Sequence, residues 1–183
     1  MQHFYNNVQG HFTYSKFYTE LIGKLTDGAK IVEVGVWKGQ SVIYAGVEIH
    51  NSGKDIKVDC VDTFEGSPEL MSEPLLKDKD GLYNLFIQNI EPLKHILTPV
   101  RASSIDASNL YTNKSLDCVF IDASHDYDNV LADIQAWLPK VKKNGVLAGH
   151  DIGQSQIKKA VETVLDKNYT VSKDEDIWIH NIK

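Results

Sequence analysis

The chain has 183 residues and a formal net charge of −6 at pH 7, with no cluster of lysine or arginine. This length fits one domain with a substantial core, and the acidic balance argues against nucleic acid or an anionic membrane surface as a partner. No apolar run is long enough to span a bilayer, the first seven residues lack a signal-peptide pattern, and both cysteines fit reduced core residues of a cytoplasmic protein.

The hydrophobic pattern of the first half predicts one helix and then an alternation of strands and helices. In chain order these are a helix over 15–25, a strand over 31–34, a helix over 41–50 and a strand over 57–61. Residues 1–28 are therefore an N-terminal segment and helix. The first strand turns into its helix through Gly35 and Gly39, which let the backbone bend and a ligand approach. The second strand delivers Asp62 at its C-terminal end.

A long connection follows the second strand. Gly66, Pro68 and Pro74 interrupt residues 63–81, and mixed charges replace the hydrophobic periodicity there. A connection of this length in a compact domain is usually a lid or a binding loop. We therefore expect residues 63–81 to form a lid loop that shapes a binding pocket.

The second half of the chain continues the same alternation and ends in a hairpin. Its predicted elements are a helix over 82–90, strands over 98–101 and 116–121, a helix over 127–138, a turn at 144–145, a strand over 145–150, a helix over 157–165 and paired strands over 169–172 and 177–180. Residues 102–106 are expected to be an exit loop. The whole pattern predicts a single α/β domain over 1–183, with a Rossmann-like, doubly wound, mostly parallel seven-stranded sheet, helices on both faces and an antiparallel C-terminal hairpin.

Polar residues collect at the predicted C-terminal ends of the strands. They are Glu33, Asp62, Ser103, Asp122, His125, His150 and Asp151. In open α/β sheets, ligands bind beyond these strand ends, near the switch in strand order. The sequence therefore predicts one binding site at this edge of the sheet.

Several segments resemble class I S-adenosylmethionine-dependent methyltransferases. Residues 33–41 resemble the first motif of that class, and residues 61–66 resemble the second. The segment 120–127, continued by 136–139 and 145–151, is more specific. It resembles the branch that contains metal-dependent sugar O-methyltransferases, including those of macrolide biosynthesis. The resemblance extends over most of the chain.

The resemblance implies a site for S-adenosylmethionine at the ends of the first two strands. Glu33 and Gly35 would lie along its methionine part, and Ser41 at the helix start would take its carboxylate. Asp62 would accept hydrogen bonds from both ribose hydroxyls, although an acid there can also be a helix cap or turn residue. The remaining implied cofactor contacts are Trp37, Gly39, Ser103, Ser104 and Asp122. Trp37 stands where the commonest motif has glycine, and an aromatic residue is frequent there in the sugar-methylating branch.

The resemblance also implies a divalent metal, Mg or Mn, held by Asp122 and Asp151. His150 is a third candidate ligand at a position that is often acidic in the family, and imidazole suits manganese or iron better than magnesium. His125 would be the general base and, with Asp122, a catalytic residue. An acid at the end of the fourth strand also occurs in metal-free methyltransferases, and a loop histidine is often only a hydrogen-bonding residue. His11 would join the site if the N-terminal segment folds over it.

The expected function is S-adenosylmethionine-dependent methylation, metal-assisted, of a hydroxyl on a small acceptor such as a sugar or glycosylated metabolite. A non-catalytic S-adenosylmethionine-binding protein is one alternative. An NAD-dependent oxidoreductase is another, but it would prefer a Gly-x-Gly-x-x-Gly turn, which the chain lacks. The expected partner is a small molecule, with no nucleic acid and no membrane. The oligomeric state stays open, with a homodimer as one option.

Overall fold

The fold is built on one open sheet. In a computed structural model, which describes residues 1–66, 78 and 80–183, the strands are β1 (Lys30–Val34), β2 (Lys57–Asp62), β3 (Leu97–Arg101), β4 (Leu116–Ile121), β5 (Val141–Gly149), β6 (Thr170–Ser172) and β7 (Ile177–Asn181). Within these described residues they form a seven-stranded sheet in the order β3-β2-β1-β4-β5-β7-β6. The pairs among β1 to β5 are parallel, whereas β7 is antiparallel to both β5 and β6. The predicted fold class is confirmed.

Helices cover both faces of the sheet. They are α1 (Ser15–Lys24), α2 (Gln40–Ser52), α3 (Gly81–Ile90), α4 (Ser104–Ser108), α5 (Tyr127–Trp137) and α6 (Ser155–Leu165). Apolar residues of α1, α2 and α3 share one core cluster with Ile31 of β1. Those of α5 and α6 share the other cluster with Val32, the next residue along the same strand. Among the described helices, none combines the length and the apolar character needed to cross a bilayer.

Two local features differ from the sequence predictions. Helix α4 replaces the expected exit loop, and Ser103 is its N-cap, with its side chain accepting a hydrogen bond from the Asp106 backbone N–H at 3.1 Å. Five helical residues are too few to show a hydrophobic period. Strand β5 begins at Val141, and the turn predicted at 144–145 is instead an irregularity inside this strand, where Asn144 has a φ of 64°. The predicted lid loop over 63–81 falls largely on residues 67–77 and 79, outside the described residues.

The two cysteines lie in the sheet on either side of β1. Cys60 of β2 and Cys118 of β4 are free thiols with no solvent exposure. Both belong to the core cluster that faces α1, α2 and α3. Burial raises the pKa of each thiol well above its ordinary value. They are structural core residues, as the sequence predicted.

The end of β1 lies very close to the end of β4. The Gly35 N–H donates to the Val61 carbonyl at 2.8 Å, and the Asp122 N–H donates to the Val34 carbonyl at 2.8 Å. Gly35 has a φ of +88°, and a Cβ there would stand 2.6 Å from the Cα of Ala123. Only glycine fits this position, because both the backbone conformation and the space exclude a side chain.

We expect Gly35→Ala to destabilise the fold far more than Gly53→Ala. Gly53 also has a positive φ, +71°, but a Cβ there meets nothing within 4 Å. Gly53→Ala should therefore cost only the backbone strain, roughly 1–2 kcal/mol. Gly35→Ala should cost about 1–3 kcal/mol more, because the backbone of β4 must also shift. Urea denaturation of both variants measures the difference, and equal losses would refute the close-approach argument.

Candidate active site

A cavity of about 520 Å³ lies at the C-terminal ends of the parallel strands. This volume is in the range of small-molecule sites. The predicted site residues that line it are Gly35, Trp37, Ser41, Asp62, Ser104, Asp122, His125, His150 and Asp151. The fold therefore brings most of the predicted site residues to one cavity. Their individual roles remain predictions.

Glu33 does not line this cavity. It points to the same side of β1 as Ile31, and its carboxylate accepts hydrogen bonds from the hydroxyls of Tyr18 and Ser41. Burial raises the pKa of Glu33 to about 7, against the opposing effect of these two hydrogen bonds. Ser41 does line the cavity. Glu33 therefore supports a residue of the cavity wall through a hydrogen bond and is not itself part of the lining.

Gly39 and Ser103 also stand outside the cavity lining, and both have structural tasks. Gly39 caps the start of α2 with a φ of +94°, and a Cβ there would come within 3.1 Å of the Phe86 ring. The Ser103 hydroxyl donates to the Asp106 carboxylate at 2.7 Å while it caps α4. Both positions shape the turns that carry cavity residues, and their contacts with the cofactor remain predictions.

Asp62 holds the turn after β1 and faces the cavity as well. Its Oδ2 accepts a hydrogen bond from the Trp37 N–H, and its Oδ1 accepts one from the Phe64 N–H, both at 2.8 Å. Trp37 is held at a φ of 45°, a conformation that bulky residues rarely adopt. Burial raises the pKa of Asp62, and the backbone hydrogen bonds oppose this shift. The backbone N–H groups of Val36 and Thr63 also contribute to this carboxylate, so a ligand at Asp62 shares its oxygens with the turn.

Two residues that the sequence reasoning missed hold Ser104 in place. The Trp137 ring N–H donates to the Ser104 hydroxyl at 2.9 Å. The Asp133 carboxylate also shares a hydrogen bond with Ser104, and burial raises the pKa of Asp133 to about 6. A signal was present in the sequence, because Asp133 is an acid on the apolar face of α5, next to Ile134.

Two acids and a histidine converge on the cavity and form an acid–histidine cluster. Asp122, His125 and Asp151 each offer one ligand atom, and these three atoms lie within 4.8 Å of one another. The His125 Nε2 is 3.1 Å from the Asp151 Oδ2, and the His125 side chain is half exposed. Hydrogen bonds from His125 and then from His150 hold the pKa of Asp151 well below its ordinary value. Asp151 also has a φ of 59°, which an Asp tolerates better than most residues.

His150 is buried beneath this cluster. Its Nδ1 lies 3.6 Å from the Asp122 Oδ1 and 3.4 Å from the Asp151 Oδ2. Burial by itself lowers the pKa of His150, but the hydrogen bonds and charges of Asp122 and Asp151 outweigh it and raise this pKa to about 10. Its Nε2 lies 2.9 Å from the Thr13 hydroxyl oxygen. His150 therefore links the cluster to the N-terminal segment.

The N-terminal segment forms one wall of the cavity. Gly10, His11, Phe12 and Tyr14 all line it, as the sequence analysis anticipated for His11 alone. The Tyr14 hydroxyl donates to the Asp122 Oδ2 at 2.9 Å. Residues 1–13 have no hydrophobic period, so the sequence showed only that the segment is aromatic and polar.

Solved structures of other proteins share the fold of this chain. NovP, an O-methyltransferase, shares 17% identity with the chain at a TM-score of 0.71, covering 93% of this chain and 80% of NovP. A Staphylococcus aureus structure described as a caffeoyl-CoA O-methyltransferase shares 15% identity, with a TM-score of 0.63 and coverage of 95% and 85%. A Streptococcus mutans structure in complex with SAH shares 12% identity, with a TM-score of 0.61 and coverage of 93% and 97%. No curated protein matches the chain.

The strand order, the glycine turn after β1 and the acid at the end of β2 define the class I S-adenosylmethionine-dependent methyltransferase fold. A family model described as "Methyltransferase domain" matches residues 32–152, and the chain belongs to that family. The matched region runs from β1 to just beyond Asp151, so it contains both the glycine turn and the acid–histidine cluster.

We expect Asp62→Ala to weaken the binding of S-adenosylhomocysteine. Removing the carboxylate should delete two charge-assisted hydrogen bonds to the ribose, each worth about 1.5–3 kcal/mol. Asp59→Ala is the matched control, since Asp59 lies on the same strand but bonds the Tyr111 hydroxyl at 2.8 Å and is not part of the cavity lining. Isothermal titration measures both affinities. An Asp62→Ala protein that binds as tightly as the Asp59→Ala protein would exclude the ribose assignment.

Proposed function

We propose that this protein is an S-adenosylmethionine-dependent O-methyltransferase that uses a divalent cation to methylate a hydroxyl of a small acceptor, such as a sugar or glycosylated metabolite. The observation that carries the proposal is the convergence of Asp122, His125 and Asp151 within 4.8 Å, in the same cavity that Gly35 and Asp62 line. A cofactor site and a metal-type cluster side by side suit methyl transfer to oxygen.

The residues at the cofactor end of the cavity fit S-adenosylmethionine. Asp62 presents its carboxylate to the cavity as the proposed acceptor for the ribose hydroxyls, and Ser104 also lines the cavity and is held by Trp137. The first turn of α2 leaves backbone N–H groups without helical partners, and Ser41 lies in that turn. Such a helix start attracts a carboxylate.

The residues at the other end fit a divalent cation. Asp122 and Asp151 supply carboxylate oxygens, and the nearby imidazole of His150 supplies nitrogen. This mixed donor set suits Mn²⁺ or Fe²⁺ better than Mg²⁺, which prefers oxygen ligands. A cation there would lower the pKa of an acceptor hydroxyl and help to orient it.

His125 is the residue that we assign to proton removal. When its Nε2–H donates to the Asp151 Oδ2, the lone pair of the neutral ring is on Nδ1. A carboxylate that orients the imidazole in this way is a common feature of general bases. The half-exposed side chain lies in the cavity lining, where an acceptor hydroxyl would enter. The position of His125 in the acid–histidine cluster would also suit a third metal ligand. A general base and a metal ligand differ in their expected effect on Mn²⁺ affinity.

The proposed acceptor is small because it must share one cavity with the cofactor. Vicinal hydroxyls, as in a sugar, offer two oxygens to one cation, and the net charge of −6 gives no attraction for nucleic acid. The free, buried cysteines fit the proposed cytoplasmic location. The competing function is cofactor binding without catalysis. That function does not require a general base next to paired acids.

We expect turnover to require a divalent cation and to be lost in Asp151→Asn. Replacing one carboxylate by an amide should weaken Mn²⁺ binding by at least about 10-fold, because an outer-shell change alone has an effect of that size. Asp128→Asn is the matched control, since Asp128 is a nearby exposed acid of α5 that is not in the cavity lining. Full turnover in excess chelator, with metal shown to be absent by elemental analysis, would contradict the metal requirement.

We expect His125→Asn to lower turnover by roughly 10²–10⁴-fold, the usual contribution of a general base. The affinities for S-adenosylhomocysteine and Mn²⁺ should stay close to those of the parent protein. His95→Asn serves as the control, because His95 is exposed and is not in the cavity lining. If Mn²⁺ affinity falls together with turnover, His125 is a metal ligand and the base assignment is wrong.

A screen with methyl-labelled S-adenosylmethionine tests the acceptor class. Sugars, catechols, small amines and protein are offered in parallel, with Mn²⁺ present. We expect label on hydroxylated small molecules, because the acid-rich end of the cavity suits oxygen ligands. Label on nitrogen or on protein alone would contradict O-methylation. Tight cofactor binding without labelling of any acceptor would instead support the non-catalytic function.

A further inference from the structure

One hydrogen-bonded chain joins the N-terminal segment, the C-terminal hairpin and the acid–histidine cluster. The Thr13 Oγ1 lies 3.1 Å from the Glu175 carbonyl oxygen and 2.9 Å from the His150 Nε2. Thr13 was not among the candidate site residues, because an isolated threonine carries no motif. Its two partners nevertheless require a hydrogen on the Nε2 of His150.

The direction of these hydrogen bonds follows from counting hydrogens. A hydroxyl has a single hydrogen, and a carbonyl oxygen can only accept, so the Thr13 hydrogen belongs to the bond with Glu175. The Thr13 oxygen must then accept from His150, which requires a hydrogen on the His150 Nε2. The opposite arrangement would leave the Thr13 and Glu175 oxygens facing each other at 3.1 Å with no hydrogen between them.

With Nε2 committed to Thr13, Nδ1 is the nitrogen of His150 that faces the acids. It lies 3.6 Å from the Asp122 Oδ1 and 3.4 Å from the Asp151 Oδ2. Histidines that bind metals commonly donate their other ring N–H to an oxygen acceptor, which fixes the tautomer and the ring orientation. His150, with Thr13 as its acceptor, has this arrangement.

We infer that Thr13 is a positioning residue of the metal site: its hydroxyl orients the His150 ring so that Nδ1 faces the position between Asp122 and Asp151. The inference rests on the proposed metal-assisted function. It makes His150 the third ligand and leaves His125 to act on the acceptor. It also makes the N-terminal segment part of the metal site and more than a wall of the cavity.

The C-terminal hairpin fixes the orientation of Thr13. The Glu175 side chain accepts a hydrogen bond from the Phe17 N–H at 2.9 Å in the first turn of α1, and another from the Ser172 hydroxyl at 3.2 Å. The carbonyl that accepts the Thr13 hydrogen bond therefore belongs to Glu175, whose side chain is hydrogen-bonded to both β6 and α1. The neighbouring Tyr14 donates to the Asp122 Oδ2, so two consecutive residues contact His150 and Asp122.

The first test needs no metal. Histidine side chains labelled with ¹⁵N show which ring nitrogen carries hydrogen in a two-bond ¹H–¹⁵N correlation spectrum, and a His150→Gln spectrum identifies the signals. We expect a hydrogen on the His150 Nε2 in the parent protein and in Thr13→Ser, with slow exchange with water. In Thr13→Val this hydrogen should exchange faster. An Nε2 without hydrogen in the parent protein would overturn the inference.

The second test is Mn²⁺ affinity, measured by electron paramagnetic resonance. Thr13→Val should weaken binding by roughly 10–100-fold, as expected when an outer-shell partner of a ligand is lost, and Thr13→Ser should restore it. Thr19→Val, which removes a hydroxyl of α1 that bonds Tyr44 and Glu48 of α2, should have no effect. Equal affinity in Thr13→Val and the parent protein would overturn the inference. A parent protein that binds no Mn²⁺ would contradict the proposed metal and, with it, a positioning role for Thr13.

Discussion

The site depends on the contact between the end of β1 and the end of β4. Two backbone hydrogen bonds, from Gly35 to Val61 and from Asp122 to Val34, bring the ends of β1, β2 and β4 to one level. The absence of a side chain at Gly35 lets the backbone of Asp122 approach. Asp62 and Asp122, which belong to the proposed cofactor end and the proposed metal end of the cavity, thereby lie on opposite sides of one glycine.

Around this contact, the charges of the site are arranged in layers. Glu33 is fully buried and hydrogen-bonded to Tyr18 and Ser41, so it supports the wall of the cavity through Ser41. Above it, Asp122 and Asp151 are only partly exposed. Paired acids at close range need a positive partner or a proton, and the imidazole of His150 lies against both of them. The acids that would hold the proposed cation therefore already have a partner in His150.

The fold was predictable because its signals are local and repeated. Alternating apolar segments gave the parallel sheet, and Asp62, Asp122 and Asp151 could be placed at strand ends without a structure. The direction of Glu33 could not be read in the same way. Both faces of a central parallel strand are buried, so the strand shows no alternation of polar and apolar residues to tell the cavity side from the core side.

The contribution of the N-terminal segment was beyond sequence reasoning for a different reason. Thr13 and Tyr14 act on His150 and Asp122, more than 100 positions away, through single hydrogen bonds. Such contacts leave no period and no motif in the sequence. Asp133 is an intermediate case. The sequence shows that it is an acid on the apolar face of α5, but it does not show that Asp133 is hydrogen-bonded to Ser104.

The rate at which a reagent alkylates the buried thiols of Cys60 and Cys118 reports how often the core opens. Cys60 is paired in register with Glu33, and Cys118 with Ile31, so the two sulfurs flank the central strand. A thiol reagent needs an accessible thiolate, and neither residue offers one while α1, α2 and α3 cover this face of the sheet. Labelling requires excursions that open this core. The rate of alkylation therefore measures how often the core opens, and a ligand that slows it stabilises the packing behind the strands that carry the site.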